Sequence, residues 1–185
     1  MSHILIHEVG LRDGLQVEKQ VIPTDLKLAW IERLIEARLD FIQVGSFVHP
    51  EKVPQMADTD ELFRRLAGRA KGTVLSGLVL NEKGLERGLA CGVEMFCLGV
   101  SASETHSRKN TGMGTEEATR RIIATALEAR KAGKRVQVSV QSAFGCGFEG
   151  PVDPERVMHI VACYLEEGLH AISLADTAGH AHPDQ

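Results

Sequence analysis

An arginine and an aspartate stand side by side in Gly10-Leu11-Arg12-Asp13-Gly14-Leu15-Gln16, directly after a short apolar run. A carboxylate in such a place is a hard-oxygen ligand suited to Mg²⁺ or Mn²⁺. A guanidinium beside it is a fixed cation that can stabilise an enolate oxygen as charge develops during C–C cleavage. The same pair could also be a surface turn with a local ion pair, because so short a motif has a real false-positive risk. Other reactive side chains also follow apolar runs: Ser46, Glu104 with His106, Cys146 in a glycine-rich stretch, and Asp176. Each has a plain alternative: Ser46 as a turn cap, Asp176 as a helix cap, His106 as a solvent-facing loop residue, Lys19 and Lys109 as solvated surface lysines.

Short β-type runs alternating with longer helix-type segments must position these residues. Ile4 to Val9 reads as a first strand ending at Gly10. Residues 25–38 read as a helix with Thr24 as N-cap and Leu26, Trp30, Ile31, Leu34 and Ile35 on one face. Phe41 to Val44 is a second strand, followed by a loop to Ala57 and a helix carrying Leu62, Phe63 and Leu66. Thr73 to Leu80 is a third strand, and Asn81 caps a short helix that stops at Gly92. Glu94 to Val100 is a fourth, then a long polar loop and a helix from Thr115 to Ala132. Val136 to Gln141 is a fifth; Asp153-Pro154-Glu155 is a strong helix start, and Ala171 to Ala175 is a sixth strand.

Such alternation implies a parallel sheet. A doubly wound dinucleotide fold would announce a GxGxxG after the first strand, where this chain has its charged Arg12-Asp13 segment. Polar residues recurring after strand upon strand fit instead an α/β chain of (β/α)8 TIM-barrel type, whose site gathers at the C-terminal strand ends. A full barrel takes about 250 residues, so residues 1–185 are expected to form a single domain holding an incomplete barrel of about six strands. Six strands would leave open parallel edges, which predicts a fragment, a trimmed chain or one completed by a partner.

A net charge of −4 and 4% aromatic residues provide neither the basic field nor the stacking platforms of a nucleic-acid binder. No run of about 18 apolar residues suggests a membrane span, and Met1-Ser2-His3-Ile4-Leu5-Ile6-His7-Glu8 is too short and too soon charged for a signal peptide. Cys91, Cys97, Cys146 and Cys163 form no CxxC pair, which favours reduced thiols and a cytoplasmic home.

Taken together, several blocks resemble the hydroxymethylglutaryl-CoA lyase family and its aldolase and Claisen-condensing relatives. They are Glu8-Val9-Gly10-Leu11-Arg12-Asp13-Gly14-Leu15-Gln16, Ser46-Phe47-Val48-His49-Pro50, and Val53-Pro54-Gln55-Met56-Ala57-Asp58. Ser103-Glu104-Thr105-His106 with Lys109-Asn110, Ser142 to Cys146, Phe148-Glu149-Gly150 and Ile172 to Thr177 follow in order. The second and third blocks point to the lyase branch rather than to isopropylmalate or homocitrate synthases. The resemblance implies metal-dependent retro-aldol cleavage of a 3-hydroxy-3-methylglutaryl-CoA-like thioester to acetyl-CoA and a keto acid such as acetoacetate.

In that family Asp13 would ligate the divalent metal, and Arg12 would stabilise the enolate of the departing acetyl-CoA. Asp176 would support the substrate hydroxyl or its proton transfer. Gln16 and Ser46 match positions near metal and substrate, Lys19 a basic residue on the CoA side, and Asn110 the loop after the fourth strand. The expected partner is an acyl-CoA substrate, with a homodimer as a candidate assembly. The family's further metal histidines and its proton-transfer cysteine belong to later strands. His180-Ala181-His182 also reads HxH, but it follows the sixth strand, where the family has no ligand. Gln43 stands where the family carries glutamate, and Gln137 and Ser139 where it carries arginine and tyrosine. A glutamine keeps the shape but cannot hold a proton at neutral pH, so these departures leave the acyl group open. A condensing enzyme using acetyl-CoA, and a catalytically incomplete module binding CoA-like ligands, remain alternative readings.

Overall fold

A computed structural model describes residues 4–184; Met1-Ser2-His3, part of the N-terminal reading above, and Gln185 lie outside them. The chain divides into two compact units, Met1–Phe96 and Cys97–Gln185. Strand order follows chain order in each, β1-β2-β3 in the first and β4-β5-β6 in the second.

The first unit holds β1 (His7–Glu8), α1 (Thr24–Glu36), β2 (Phe41–Ser46), α2 (Thr59–Leu66), β3 (Val74–Leu78) and α3 (Glu82–Ala90). β1 is shorter than the predicted Ile4–Val9. Only His7 and Glu8 pair with Phe41 and Ile42, while Ile4, Leu5 and Ile6 stay exposed. Ile6 is tied instead through its amide to Asp40 Oδ2 (2.9 Å). β2 runs two residues beyond the predicted Val44, and its register against β3 shifts between Gln43 and Gly45. Such a bulge re-aims side chains where a strand nears a site.

α1 departs from its predicted face in an informative way. Thr24 is the first helical residue rather than the cap, and its hydroxyl donates to Asp58 Oδ2 at 2.9 Å. Leu26 is exposed, whereas Lys27 is buried with Leu28, Ile31 and Ile35. A charged residue takes the place of the expected leucine because its ammonium is paired: Lys27 Nζ donates to Gln55 O (2.6 Å) and Asp58 Oδ1 (2.7 Å). The Val53–Asp58 block thus anchors α1. Thr59, also buried, receives the Ser46 amide on its hydroxyl (3.2 Å) and donates to Met56 O (2.8 Å). That approach requires Gly45, since a Cβ there would lie 2.5 Å from Thr59 Oγ1. Arg87 of α3 closes the same region, with Nη2 on Asp60 Oδ1 (2.7 Å) and Nη1 on Val48 O (3.0 Å).

The second unit holds most of β4 (Met95–Ser101), then α4 (Glu104–Thr111), α5 (Thr115–Lys131), β5 (Arg135–Gln141), α6 (Pro154–Glu166) and β6 (Ile172–Leu174). β5 and β6 pair in parallel, Val138 with Ile172 and Val140 with Leu174. α6 begins as predicted: Pro154 is at its first turn and Asp153 Oδ1 accepts the Glu155 amide at 2.9 Å. The long polar loop predicted after β4 is instead largely helical. Ser103 caps α4 by accepting the His106 amide (3.1 Å), and Gly112 ends it in the left-handed region at φ 79°. A polar segment with a cap at each end folds as helix despite lacking an apolar stripe. Among the described residues no helix is long and apolar enough to cross a membrane.

The buried pair generates a stability test. Asp58→Ala strands the Lys27 ammonium and should cost about 3–5 kcal/mol in urea unfolding, whereas Lys27→Met should cost clearly less. Equal losses would show that the charge pair does not organise this packing.

Candidate functional site

In the first unit Arg12, Asp13 and Gln43 come together at the segment after β1. Residues Gly10–Gly14 form a π-helical turn, a rare geometry that often marks functional positions. It begins where the Arg12 and Asp13 amides both reach Val9 O (3.0 and 2.7 Å). Arg12 is mostly covered, with Nη1 donating to Asp13 Oδ1 at 2.6 Å and Nε to Gln43 Oε1 at 2.5 Å. Gln43 is buried on β2, so a neutral, ordered amide fixes the guanidinium plane. Asp13 is exposed, at 66% side-chain accessibility, and has one oxygen turned to Arg12.

Ser46 is the last residue of β2 and fully buried, and its Oγ has no hydrogen-bond partner. A buried hydroxyl left unpaired costs free energy, and its position excludes the turn-cap alternative. Gln16 is half-buried just past the π turn, and Lys19 is exposed further along. Sequence reasoning passed over Ser76, buried on β3 in register with Gln43, and His7, whose Nε2 lies 2.9 Å from Ser76 Oγ. A serine inside an apolar strand reads as filler unless the register is known.

In the second unit Asp176 follows β6 and organises its own turn. Its carboxylate accepts the amides of His180 (2.8 Å) and Ala181 (3.0 Å). These bonds, Ala181 first, hold its pKa below the usual carboxylate value and keep it ionised. The His180 ring packs on Gly145 so closely that a Cβ there would lie 2.5 Å from His180 Nδ1, and the φ of 151° also favours glycine. Asn110 is exposed on α4. Lys109, read as a solvated surface lysine, has its ammonium 3.6 Å from the centre of the Phe148 ring, a cation–π contact. Glu149 accepts the Thr105 amide at 2.6 Å and so tethers loop to helix.

Glu104 and His106 are engaged separately: Glu104 accepts the Thr115 amide (2.8 Å), and the His106 ring stacks on Phe148. Cys146 is buried. Burial pushes its thiol pKa up, but hydrogen bonds from Ser103 and from the Phe148 and Glu149 amides outweigh that and lower it. Of the two departures on β5, Gln137 Oε1 lies 3.8 Å from Cys97 Sγ, and Ser139 donates to Leu98 O at 3.2 Å.

The family model described as HMGL-like matches residues 3–185. The chain belongs to that family. It is 37% identical over 182 residues to the hydroxymethylglutaryl-CoA lyase YngG of Bacillus subtilis, covering 98% of this chain and 60% of that protein. It is equally 37% identical to the (R)-citramalyl-CoA lyase of Chloroflexus aurantiacus, covering all of this chain and 61% of the relative. The crystal structure of the Bacillus subtilis HMG-CoA lyase superposes with a TM-score of 0.94 at 37% identity, over 98% of this chain and 61% of that one. The chain therefore spans about three-fifths of the length of these relatives. As an HMGL-like chain, its six parallel strands are part of a (β/α)8 TIM barrel.

A metal expected of this family would take Asp13 as a hard-oxygen donor. Among the described residues no group of three or more His, Cys, Asp or Glu side chains is placed to hold an ion. One exposed carboxylate does not amount to a coordination set.

The Asp176 turn yields a second test. Because its folded-state pKa is lowered, its contribution to stability is present above the ordinary carboxylate value and is lost as pH falls through the lowered one. Asp176→Ala should speed hydrogen exchange at the His180 and Ala181 amides at neutral pH. Unchanged exchange would show that the carboxylate does not hold the turn.

Proposed function

We propose that this HMGL-like chain carries the strand-one-to-six part of a carbon–carbon lyase that cleaves a 3-hydroxy-3-methylglutaryl-CoA-like thioester to acetyl-CoA and a keto acid such as acetoacetate. The observation that carries this reading is the Arg12 guanidinium at the end of β1, oriented by Gln43 and Asp13. In a retro-aldol step a base takes the C3 hydroxyl proton, and the C3 oxygen becomes the carbonyl of the keto acid as the C2–C3 bond breaks. The released pair moves onto the thioester carbonyl as an enolate, and a proton delivered to C2 completes acetyl-CoA. Arg12 would meet the enolate oxygen where that charge appears. Its mooring matters because a guanidinium already in place needs no reorganisation during the reaction.

Asp176 is proposed as the group that supports the substrate hydroxyl, a role suited to a carboxylate held ionised by two amides. Ser46 offers a hydroxyl with an unfilled hydrogen bond, which supports a substrate-binding role. Gln16, Gln43, Lys19 and Asn110 are proposed on the thioester side. A divalent ion, Mg²⁺ or Mn²⁺, bound through Asp13 is part of the proposal, but the described residues do not make a full site and no step is derived through it. Four cysteines, none of them in a disulfide and two of them buried, support a reducing, cytoplasmic setting.

Gln43 favours a variant of this reading. Without a carboxylate at that position the Arg12 neighbourhood has one negative charge fewer, and a citramalyl-CoA lyase is, like a hydroxymethylglutaryl-CoA lyase, 37% identical to the chain. An acyl group other than hydroxymethylglutaryl is therefore included in the substrate class.

The test is acetyl-CoA release by the full protein from hydroxymethylglutaryl-CoA and citramalyl-CoA, with added Mg²⁺ or Mn²⁺. Release from one of them is expected, and Arg12→Gln should lower kcat by about 10²–10³-fold. No release from either substrate, or an unchanged kcat in Arg12→Gln, would overturn the proposal.

A further inference from the structure

His7 lies outside the motifs that carry the resemblance, yet the register brings it to the same face as the site. It pairs with Phe41; Gln43, two residues further along β2, shares the Phe41 face and pairs with Ser76. The imidazole projects from that face one layer earlier along the strands, with Nε2 2.9 Å from Ser76 Oγ and its ring 5.6 Å from that of Phe41. Ser76 also donates to Ile42 O at 3.2 Å. A hydroxyl has one proton, so with that proton on Ile42 it accepts from His7 Nε2–H, and Nδ1 carries the lone pair. The charged groups acting on the ring within this unit are Arg12 from the π turn and Glu8 from its own strand. β2 and β3 present Phe41 and Ser76, which do not ionise here, and Asp40 at the start of β2 is bonded to the Ile6 amide.

We propose that His7 is a positioning residue for Arg12: through Ser76 its neutral ring supports the layer that carries Gln43, and its protonation adds a cation at that layer and disturbs the Gln43 and Asp13 bonds to the guanidinium. The proposal rests on the lyase reading above and gives the reaction an acid limb that belongs to His7. Burial first, and the Arg12 cation next, lower the His7 pKa below its ordinary value, with Glu8 opposing. The ring is therefore neutral at neutral pH and gains its proton only as pH falls through that lowered value. Gln43 sharpens the effect, since a glutamine adds no negative charge to offset the second cation.

Two measurements separate this idea from the lyase reading. The first needs no substrate: the His7 imidazole resonances are titrated by NMR in the native full protein and in Arg12→Gln. A His7 pKa below the ordinary histidine value that rises in the variant is expected; the same pKa in both would overturn the coupling. The second is the pH profile of kcat with the cleaved thioester. His7→Gln, whose amide can still donate to Ser76, should lose the acid limb. His7→Lys should lower kcat by about tenfold or more at neutral pH with little change in KM. An acid limb unchanged in His7→Gln would overturn the proposal even if both variants fold. Absence of any turnover in the native protein would sink the lyase reading and with it this role for His7, while the NMR titration would still report on the coupling.

Discussion

Arg12 donates through Nε to Gln43 and through Nη1 to Asp13, and the path of β2 makes the first of these bonds available. A guanidinium useful to an enolate must be rigid without being neutralised by several carboxylates. A buried glutamine meets that condition: it fixes the plane of the group without adding a negative charge to it. Gln43 in turn depends on a bulge before Gly45 and on Thr59, whose hydroxyl takes the Ser46 amide. Thr59 opens α2, next to the Asp58 carboxylate that holds Lys27. These bonds fix the end of β2, three residues beyond Gln43, against α1 and α2.

The second unit places its polar groups by a different device. Its loops are closed by carboxylates on backbone amides: Asp176 on His180 and Ala181, Glu149 on Thr105, Glu104 on Thr115. Each bond satisfies a donor at a turn or helix start and lowers the pKa of the acid that makes it. These bonds give the Ser103–His106 and Phe148-Glu149 segments a structural role of their own. The Lys109–Phe148 contact binds the same two segments through an ammonium and an aromatic face.

Alternating strands and helices were legible because period and punctuation agree: Asn81 and Asp153 cap the helices that their positions announce. The Arg12-Asp13 pair was legible from its residue types. The Arg12–Gln43 bond was not, because 31 residues separate the partners and only strand register brings them together. Lys27 misled for a related reason, since its burial depends on Asp58 and Gln55 in a distant loop. α4 was missed because capping, rather than an apolar stripe, makes it helical. His7 and Ser76 look ordinary in sequence and acquire meaning only when β1, β2 and β3 are set side by side.

A double-mutant cycle between Arg12→Lys and Gln43→Ala, read on kcat/KM for thioester cleavage by the full protein, tests the central claim most directly. If Gln43 acts by orienting the guanidinium, the two losses are non-additive, with a coupling of about 1 kcal/mol or more. Losses that add to within about 0.5 kcal/mol would show that Gln43 and Arg12 act independently, which contradicts the account.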